Sequence, residues 1–246
     1  MIYILLPCFN EYENLKILLK KIELTSNQLK KKITIIIVND GSTDRTKTNI
    51  YLLKKKTKNK IIYIEHKKNL GLNMAMYSGL KKFILNGNHK SLLVTMDSDN
   101  THPISMIPKM IKLIQHSNYD LVIASRFQKG SNIRGLSIFR EALSMGARFL
   151  FRIFHPIDGV QDYTCNFRAY SYSILYKSNL IKKKFFEKKD FSIIADLLIN
   201  LKKNIKKINI KEIPLKLRYD FKIGESKLNV SRNIYKTINL ILRNLF

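Results

Sequence analysis

Short apolar runs alternate with amphipathic segments through the first half of the chain, and this alternation constrains the fold more than any other feature. The runs are apolar throughout and rich in β-branched residues: 2–6, 33–38, 61–64, 92–96 and 121–124. Between them, apolar residues recur at helical spacing, as Leu15, Leu18, Leu19 and Ile22 do. Strands without polar alternation are typical of a parallel sheet that helices cover on both faces. The pattern therefore predicts an α/β fold with a mostly parallel sheet.

Polar clusters follow several of these runs, at the point where each strand would end. They are Asn10-Glu11 after the first run, Asn39-Asp40 after the second, and Asp97-Ser98-Asp99 after the fourth. In an open parallel sheet, ligands bind in the crevice beyond the carboxyl ends of the strands. We therefore expect the three clusters to converge on one binding site.

Asp97-Ser98-Asp99 is the main candidate for a metal site. Carboxylates at i and i+2 of an extended chain project to the same side, so Asp97 and Asp99 can share one cation. Hard oxygen ligands suit Mg²⁺ or Mn²⁺, ions that bridge diphosphates. Two alternatives stay open: a solvated pair in a turn, and the Asp97-x-Asp99-x-Thr101 nucleophile motif of a haloacid-dehalogenase-type phosphatase. The phosphatase also needs a second acidic pair downstream, and residues 120–246 offer only scattered aspartates.

A formal net charge of +27 points to an anionic partner. Nucleic acid, an anionic membrane surface and phosphorylated small molecules would each fit, and an excess of solvated lysines would also account for it. We expect no nucleic acid partner, because a basic nucleic-acid-binding domain leaves the ordered acidic clusters unexplained. Cys8 and Cys165 lie far apart and support no disulfide framework, which fits a reducing cytoplasm.

The second half of the chain has a looser pattern. We expect a polar loop over 128–135 that closes over a site, a helix over 140–154 with Leu143, Ala147, Leu150 and Phe151 inward, a short strand over 167–170, a helix over 192–203 and an edge strand over 207–217. Pro214 argues against a central position for that last strand. Residues 229–246 are amphipathic and basic, as expected of a helix that rests on an anionic leaflet or packs on the domain surface.

Taken together, the motifs resemble those of family 2 glycosyltransferases. The resemblance rests on Pro7-Cys8-Phe9-Asn10-Glu11, on Val38-Asn39-Asp40-Gly41-Ser42-Thr43-Asp44, on Asn69-Leu70-Gly71 with Ala75 and Gly79, and on Asp97-Ser98-Asp99. Within the family, the chain is similar to polyprenyl-phosphate sugar transferases of the dolichol-phosphate mannose synthase type. That likeness rests on Ser125-Arg126-Phe127, Arg140 with Ser144, Asp162 to Phe167-Arg168, and Arg218 with Gly224-Glu225-Ser226-Lys227.

The resemblance implies a Rossmann-like GT-A catalytic domain over 1–228, followed by the amphipathic segment 229–246. It implies that a nucleotide-sugar donor, GDP- or UDP-linked, is held by Pro7, Asn10, Glu11, Asp40, Asp97 and Ser98. Asp97 and Asp99 would hold Mg²⁺ or Mn²⁺ and, with Arg126, form the catalytic set. The acceptor phosphate would lie against Arg126, Arg140, Ser144, Arg218 and Lys227, and Arg168 could close over one of the phosphates.

Several of these residues also have a purely structural interpretation. Asp40 could cap the helix that follows it, and Asp44 is better interpreted as such a cap than as a ligand. Each arginine could be exposed or form a structural ion pair. The five histidines show no ligand-like spacing, and we interpret them as structural or surface residues. Thr101 and the pair Cys165-Asn166 depart from the family pattern beside the metal and before the Phe-Arg motif.

The predicted function is inverting, metal-dependent transfer of a sugar, mannose being one candidate, to a polyprenyl phosphate. The enzyme would be peripheral at the cytoplasmic face of a membrane. A phosphate acceptor is already ionised near neutral pH, so transfer would need no strong general base. The alternative is transfer to a saccharide hydroxyl in surface-polysaccharide synthesis, which would need a carboxylate base such as Asp162 or Asp196.

Overall fold

The computed structural model describes residues 1–187 and 193–221 together with Ile241. The strands are β1 (Ile2–Cys8), β2 (Ile33–Asn39), β3 (Lys60–Glu65), β4 (Leu92–Thr95), β5 (Leu121–Ser125), β6 (Asn132–Arg134), β7 (Arg168–Ser171), β8 (Ile210–Pro214) and β9 (Lys216–Arg218). The helices are α1 (Tyr12–Leu29), α2 (Thr46–Lys56), α3 (Leu72–Asn86), α4 (Ile107–His116), α5 (Ile138–Phe154), α6 (Tyr172–Lys177), α7 (Lys183–Phe186) and α8 (Ile193–Asn204). Short 3₁₀ turns lie at Ile104–Met106 and Tyr219–Phe221.

The main sheet has the strand order β3-β2-β1-β4-β7-β5-β8 in the part of the chain that the structure describes. The pairs β1–β2, β1–β4, β2–β3 and β5–β8 are parallel. Strand β7 is antiparallel to both of its neighbours, β4 and β5. The predicted α/β fold with a mostly parallel sheet is confirmed, and the exception, β7, is the strand that the sequence placed at 167–170.

Both faces of the sheet are covered, which explains the uninterrupted apolar strands. Along β1, Ile4 and Leu6 join the core beneath α1 and α4, whereas Tyr3 and Leu5 join the core beneath α3 and α8. Helix α3 approaches β1 closely at Gly79, where an added Cβ would lie 2.1 Å from a methyl carbon of Leu5. Solvent therefore reaches the sheet mainly at the strand ends, where the polar clusters lie.

The predicted edge strand over 207–217 is split. Its first part is β8, which is the edge strand beside β5, and Pro214 ends it. Its second part is β9, which pairs with β6 in a separate two-stranded sheet. The segment 128–135 is therefore a loop that contains a strand. The predicted helices are observed as α5 and α8, and the segment 229–246 lies outside the described residues except for Ile241.

Among the described residues, no helix combines the length and the apolar character needed to cross a membrane.

Candidate active site

The loops that follow β1 and β2 are joined by hydrogen bonds. Asn10 adopts a left-handed conformation (φ 55°), and its side-chain oxygen accepts a hydrogen bond from the Thr43 amide at 2.8 Å. The Asn10 amide donates to Ser42 Oγ, and the Glu11 amide donates to Thr46 Oγ1. The Glu11 carboxylate accepts from Asn14 Nδ2 at 2.7 Å. The structure thus brings Asn10 and Glu11 beside the Asp40 loop, as the sequence predicts.

Asp40 is buried at the end of β2, and its carboxylate is directed toward the loop before α3. It accepts hydrogen bonds from the amides of Leu70 and Gly71, at 3.0 and 2.8 Å, and contacts His66 Nδ1 at 2.6 Å. The interpretation of Asp40 as a cap of the next helix is therefore wrong. Asp44 lies just before α2, whose N-cap residue is Arg45, and its carboxylate accepts from the amides of Thr46 at 2.9 Å and Tyr12 at 3.3 Å.

Ser98 connects the end of β4 to the end of β1. Its side chain is buried and donates to the Pro7 carbonyl at 2.8 Å. Pro7 lies beyond the last residue of β1 that pairs with β4, so the gap between the two strands opens at this point. The structure therefore places Pro7 and Ser98 in contact, at the carboxyl edge of the sheet.

The two aspartates of the acidic motif have different surroundings. The Asp97 side chain is 44% exposed, whereas Asp99 is buried and accepts from Thr101 Oγ1 at 2.7 Å. The chain bends after Asp97, and Asn100 is left-handed (φ 64°), so the motif is not extended. Asp97 is the member of the pair that faces the crevice.

Two residues that the sequence interpretation missed hold Asp97 in place. The Asp97 amide donates to His102 Nδ1 at 3.1 Å, and His102 stacks on Phe167 with ring centroids 5.1 Å apart. Asn166 Nδ2 donates to Asp97 Oδ1 at 3.0 Å. The sequence signal was present only for Asn166, as a departure from the family pattern. His102 carried no signal, because its partner depends on the bend of the chain.

At the other end of the crevice, Arg126 forms a bidentate ion pair with Asp162. Its Nε and one terminal nitrogen lie 2.8 and 2.7 Å from the two carboxylate oxygens. Another of its nitrogens donates to Ser144 Oγ on α5 at 3.3 Å, and Thr164 Oγ1 accepts at 2.6 Å. Arg126 and Ser144 are therefore brought together as predicted, and Asp162 is a neutralising partner of Arg126.

Electrostatics keeps this pair charged. Burial by itself would raise the pKa of Asp162, but the adjacent Arg126 charge and its hydrogen bonds lower it. For Arg126, burial acts to lower the pKa, but the charge and the hydrogen bonds of Asp162, with smaller contributions from Cys165 and Tyr219, together raise it. Nearby, burial raises the pKa of the Cys165 thiol to about 12.

The other residues predicted to hold the acceptor phosphate lie in different surroundings. Arg140 lies half-buried on α5, one turn before Ser144. Arg218 pairs with Asp220 at 2.6 Å and stacks on Phe221, while its amide donates to the Thr101 carbonyl, next to the acidic motif. Lys227 lies outside the described residues.

Arg168 does not close over a phosphate. It is fully buried in β7, and it donates to the carbonyls of Tyr163 and Ile194 at 2.7 and 2.9 Å. The prediction for this residue is wrong because a strand between β4 and β5 directs its side chain into the core rather than into the crevice.

One short segment, residues 162–166, joins the two ends of the site. Asp162 and Thr164 bind Arg126, and Asn166 binds Asp97. The segment is fixed from behind by Glu212 of β8, which accepts from the amides of Gln161 and Asp162, both at 2.7 Å. The acidic and the basic parts of the crevice are therefore held at a set separation by one loop.

The family model described as Glycosyl transferase family 2 matches residues 3–180. The chain belongs to this family. The match spans the predicted nucleotide motifs, the acidic pair, Arg126 and the 162–166 segment. It confirms the predicted family and the glycosyltransferase class.

Two relatives of this family 2 member act on dolichol phosphate, according to their names. A dolichol-phosphate mannosyltransferase from Pyrococcus furiosus is 29% identical over 241 residues, which are 98% of this chain and 62% of the relative. The chain thus spans about three fifths of the Pyrococcus protein. A UDP-N-acetylglucosamine–dolichyl-phosphate N-acetylglucosaminyltransferase from Methanococcus voltae is 28% identical over 234 residues, 89% of this chain and 86% of the relative.

Solved structures confirm the GT-A fold. Glucosyl-3-phosphoglycerate synthase from Mycobacterium tuberculosis, in complex with Mn²⁺, UDP and phosphoglyceric acid, superposes with a TM-score of 0.67 and 16% identity, covering 100% of this chain and 78% of that one. TarS from S. aureus, in complex with UDP-GlcNAc, has a TM-score of 0.61 and 19% identity, with 99% and 66% covered. At these identities the likeness concerns the fold.

The family implies a divalent metal. The acidic motif fits such a metal only if water and substrate oxygens supply the remaining ligands. Among the described residues there is no cluster of three or more His, Cys, Asp or Glu side chains that could hold a metal. Mg²⁺ is commonly held by one or two protein carboxylates, with water and substrate phosphate oxygens completing the shell. The exposed Asp97 carboxylate, with Asp99 behind it, suits that incomplete arrangement.

Proposed function

We propose that the protein transfers a sugar from a nucleoside diphosphate to a polyprenyl phosphate, with inversion at the anomeric carbon and with Mg²⁺ or Mn²⁺ bound at Asp97 and Asp99. The observation that carries the proposal is the coupling of an acidic and a basic half-site by residues 162–166. The acidic half suits a metal-bound diphosphate, and the basic half suits a phosphate acceptor. The two dolichol-phosphate-dependent relatives support the same acceptor class.

The proposed reaction is a single displacement. An oxygen of the acceptor phosphate forms a bond to the anomeric carbon, and the bond from that carbon to the diphosphate oxygen breaks. The bound metal would neutralise the charge that develops on the departing diphosphate. Arg126 and Arg140 would hold and orient the acceptor phosphate, with Ser144 as a further hydrogen-bond partner. A phosphate acceptor is largely ionised at neutral pH, so it needs no carboxylate base.

The hydrogen bonds that Asp162 already makes favour the phosphate acceptor over a saccharide hydroxyl. Both of its carboxylate oxygens accept from the Arg126 guanidinium, and the side chain is fully buried. A general base must lie within hydrogen-bond reach of the proton that it removes. The other candidate base, Asp196, is buried on α8 and accepts from Asn200. Neither carboxylate is disposed as a base for a hydroxyl in the crevice.

We propose further that α5 rests on an anionic membrane surface. One side of this helix exposes large apolar residues: Ile138 (85% exposed), Phe139 (63%), Met145 (53%), Phe149 (65%) and Ile153 (53%). The opposite side carries the buried Phe151 and contacts the site through Ser144. An apolar stripe on a protein of charge +27 is complementary to the headgroup boundary of an anionic leaflet. A prenyl chain could then reach the site without leaving the membrane.

The acceptor is tested by incubating the protein with radiolabelled GDP-mannose, UDP-glucose or UDP-N-acetylglucosamine, Mn²⁺ and a polyprenyl phosphate. We expect label from one donor in an organic-soluble, mild-acid-labile product, and none after Asp97→Asn or with EDTA. Label confined to water-soluble glycan would contradict the phosphate acceptor. No transfer from any of the three donors, whether to the polyprenyl phosphate or to a saccharide acceptor supplied in a parallel reaction, would contradict the proposed chemistry.

Membrane binding is tested by sedimentation with vesicles of phosphatidylcholine and phosphatidylglycerol. We expect the double substitution I138E/F149E to lower the bound fraction several-fold without a change in thermal stability, because both side chains are exposed. Leu85→Glu on α3 is the matched control, since Leu85 is 71% exposed on a different surface. Equal binding of I138E/F149E and the wild type would refute this role of α5.

A further inference from the structure

Asp40, His66 and Ser78 form a continuous hydrogen-bonded chain next to the proposed nucleotide site. His66 Nδ1 lies 2.6 Å from Asp40 Oδ1, and His66 Nε2 lies 2.8 Å from Ser78 Oγ. The Asp40 and His66 side chains are only 5% and 9% exposed. Asp40 follows the end of β2, His66 follows the end of β3 and Ser78 lies on α3, so the chain links the helix to two neighbouring strands of the sheet.

The protein already uses most of the acceptor capacity of the Asp40 carboxylate. An ionised carboxylate has about four lone-pair sites. At Oδ1, His66 and the Leu70 amide occupy two; at Oδ2, the Gly71 amide occupies one. One site remains, on Oδ2. Three fixed donors leave the carboxylate no freedom to rotate, so the direction of that last lone pair is set by the protein.

The close approach of the 68–71 loop depends on a glycine. Gly41 adopts φ 67°, and a Cβ added there would lie 2.3 Å from the carbonyl carbon of Lys68 and 2.6 Å from the Asn69 nitrogen. Only a residue without a side chain lets this backbone pack directly behind Asp40. The donors of Leu70 and Gly71 reach the carboxylate for that reason.

His66 is itself held in one orientation. Its amide donates to the Asn39 carbonyl at 2.9 Å, which fixes the backbone at the end of β3. Since a carboxylate only accepts, Nδ1 donates to Asp40, and the Ser78 hydroxyl, which can donate or accept, pairs with Nε2. Asp40 thus sets the tautomer of His66, and Ser78 holds the other side of the ring.

We infer that His66 is a positioning residue for the donor nucleotide. It directs the remaining lone pair of Asp40 toward an N–H group on the base edge, and Ser78 holds the imidazole ring in that orientation. This inference rests on the proposed function, because it takes the polar crevice as the nucleotide site. It assigns His66 a role in binding the donor and none in the transfer step, so its loss should change the KM for the donor and leave kcat nearly unchanged.

Isosteric substitutions separate positioning from a purely structural role. The amide nitrogen of asparagine is attached to Cγ, as Nδ1 of histidine is, so His66→Asn retains a donor toward Asp40. Glutamine carries its nitrogen one atom further out, so His66→Gln can reach Ser78 but not Asp40. His116, exposed at the end of α4, supplies the control substitutions His116→Asn and His116→Gln.

The measurements are the KM for the donor, kcat, the Kd of the matching nucleoside diphosphate with Mn²⁺, and the Tm of each variant. We expect His66→Gln and His66→Ala to raise the KM and the Kd about 10- to 100-fold, as loss of an orienting partner does at metal ligands. We expect His66→Asn to stay within about 3-fold of the wild type, and Ser78→Ala to raise the KM about 2- to 10-fold.

The inference is overturned if His66→Ala retains the wild-type KM, or if His66→Asn and His66→Ala lose affinity and thermal stability equally. If the wild type binds neither GDP nor UDP in the presence of Mn²⁺, the proposed function itself fails. Binding by the wild type that His66→Ala leaves unchanged would overturn only the role of His66.

Discussion

Replacing Asp162 by asparagine removes the charge from a carboxylate that the fold buries completely. In the wild type this carboxylate accepts from two nitrogens of the Arg126 guanidinium, at 2.8 and 2.7 Å, and from the amides of Arg126 and Cys165, both at 3.0 Å. Asparagine has one acceptor oxygen and would place its NH₂ group against a donor. The Arg126 guanidinium, whose side chain is only 15% exposed, would then lack a counter-charge.

The expected loss of stability follows from that burial. Breaking a buried ion pair by removing one partner costs about 3–5 kcal/mol, and because asparagine keeps one acceptor we expect the lower end, about 3 kcal/mol. For a protein of this size each kcal/mol lowers the Tm by about 2–4 °C, so the Tm should fall by about 6–12 °C. Activity should fall as well, since Arg126 loses the partner that orients it toward Ser144.

The loss of stability caused by Asp162→Asn should also depend on pH. Because the folded-state pKa of Asp162 is lowered, the folded protein binds the proton less readily than the unfolded chain. The stabilisation is therefore complete above the ordinary aspartate pKa of about 3.9 and declines as the pH falls below it. The difference between the wild type and Asp162→Asn should be constant from neutral pH down to about pH 5 and then narrow.

Urea unfolding followed by circular dichroism measures these differences at each pH. Asp158→Asn is the matched control, because Asp158 is exposed a few residues away and should change little. Equal stability of Asp162→Asn and the wild type at pH 7 would refute the reasoning, and so would a difference that grows as the pH falls. Either result would mean that the Arg126–Asp162 pair is not held as a buried, charged unit.

Three further predictions concern other parts of the molecule. Asn166→Ala should lower the rate of transfer about 10-fold and raise the Mn²⁺ concentration needed for half-maximal activity, because Asp97 loses an orienting donor. Asn209→Ala is the control, and an unchanged Mn²⁺ dependence of Asn166→Ala would contradict the prediction. Cys165, whose pKa is raised to about 12 by burial, should resist iodoacetamide at pH 8 in the folded protein and react after unfolding, as read by mass spectrometry; rapid labelling of the folded protein would contradict it. Gly79→Ala should destabilise the protein by about 1–3 kcal/mol in urea unfolding, since its Cβ would overlap Leu5 in the core; wild-type stability would show that α3 can shift away from β1.

The sequence by itself determined the α/β class, the family and the main clusters of the site. It could do so because these features are local: apolar runs, helical spacing, and polar residues at strand ends, which parallel topology brings to one edge of the sheet. Asn10, Glu11, Pro7 and Ser98 lie together for that reason. Arg126, which follows β5, contacts Ser144 on α5, as the sequence predicts.

Tertiary structure alone decided which of these side chains remain available and which are already engaged. Asp162 is a partner of Arg126 rather than a free base, Arg168 is buried because β7 lies between β4 and β5, and His66 and His102 have roles that their spacing did not reveal. Each of these contacts joins residues through bends, a strand insertion or loop packing. Sequence periodicity reports which face of one element is apolar, but hydrogen bonding and burial depend on which distant element lies against that face.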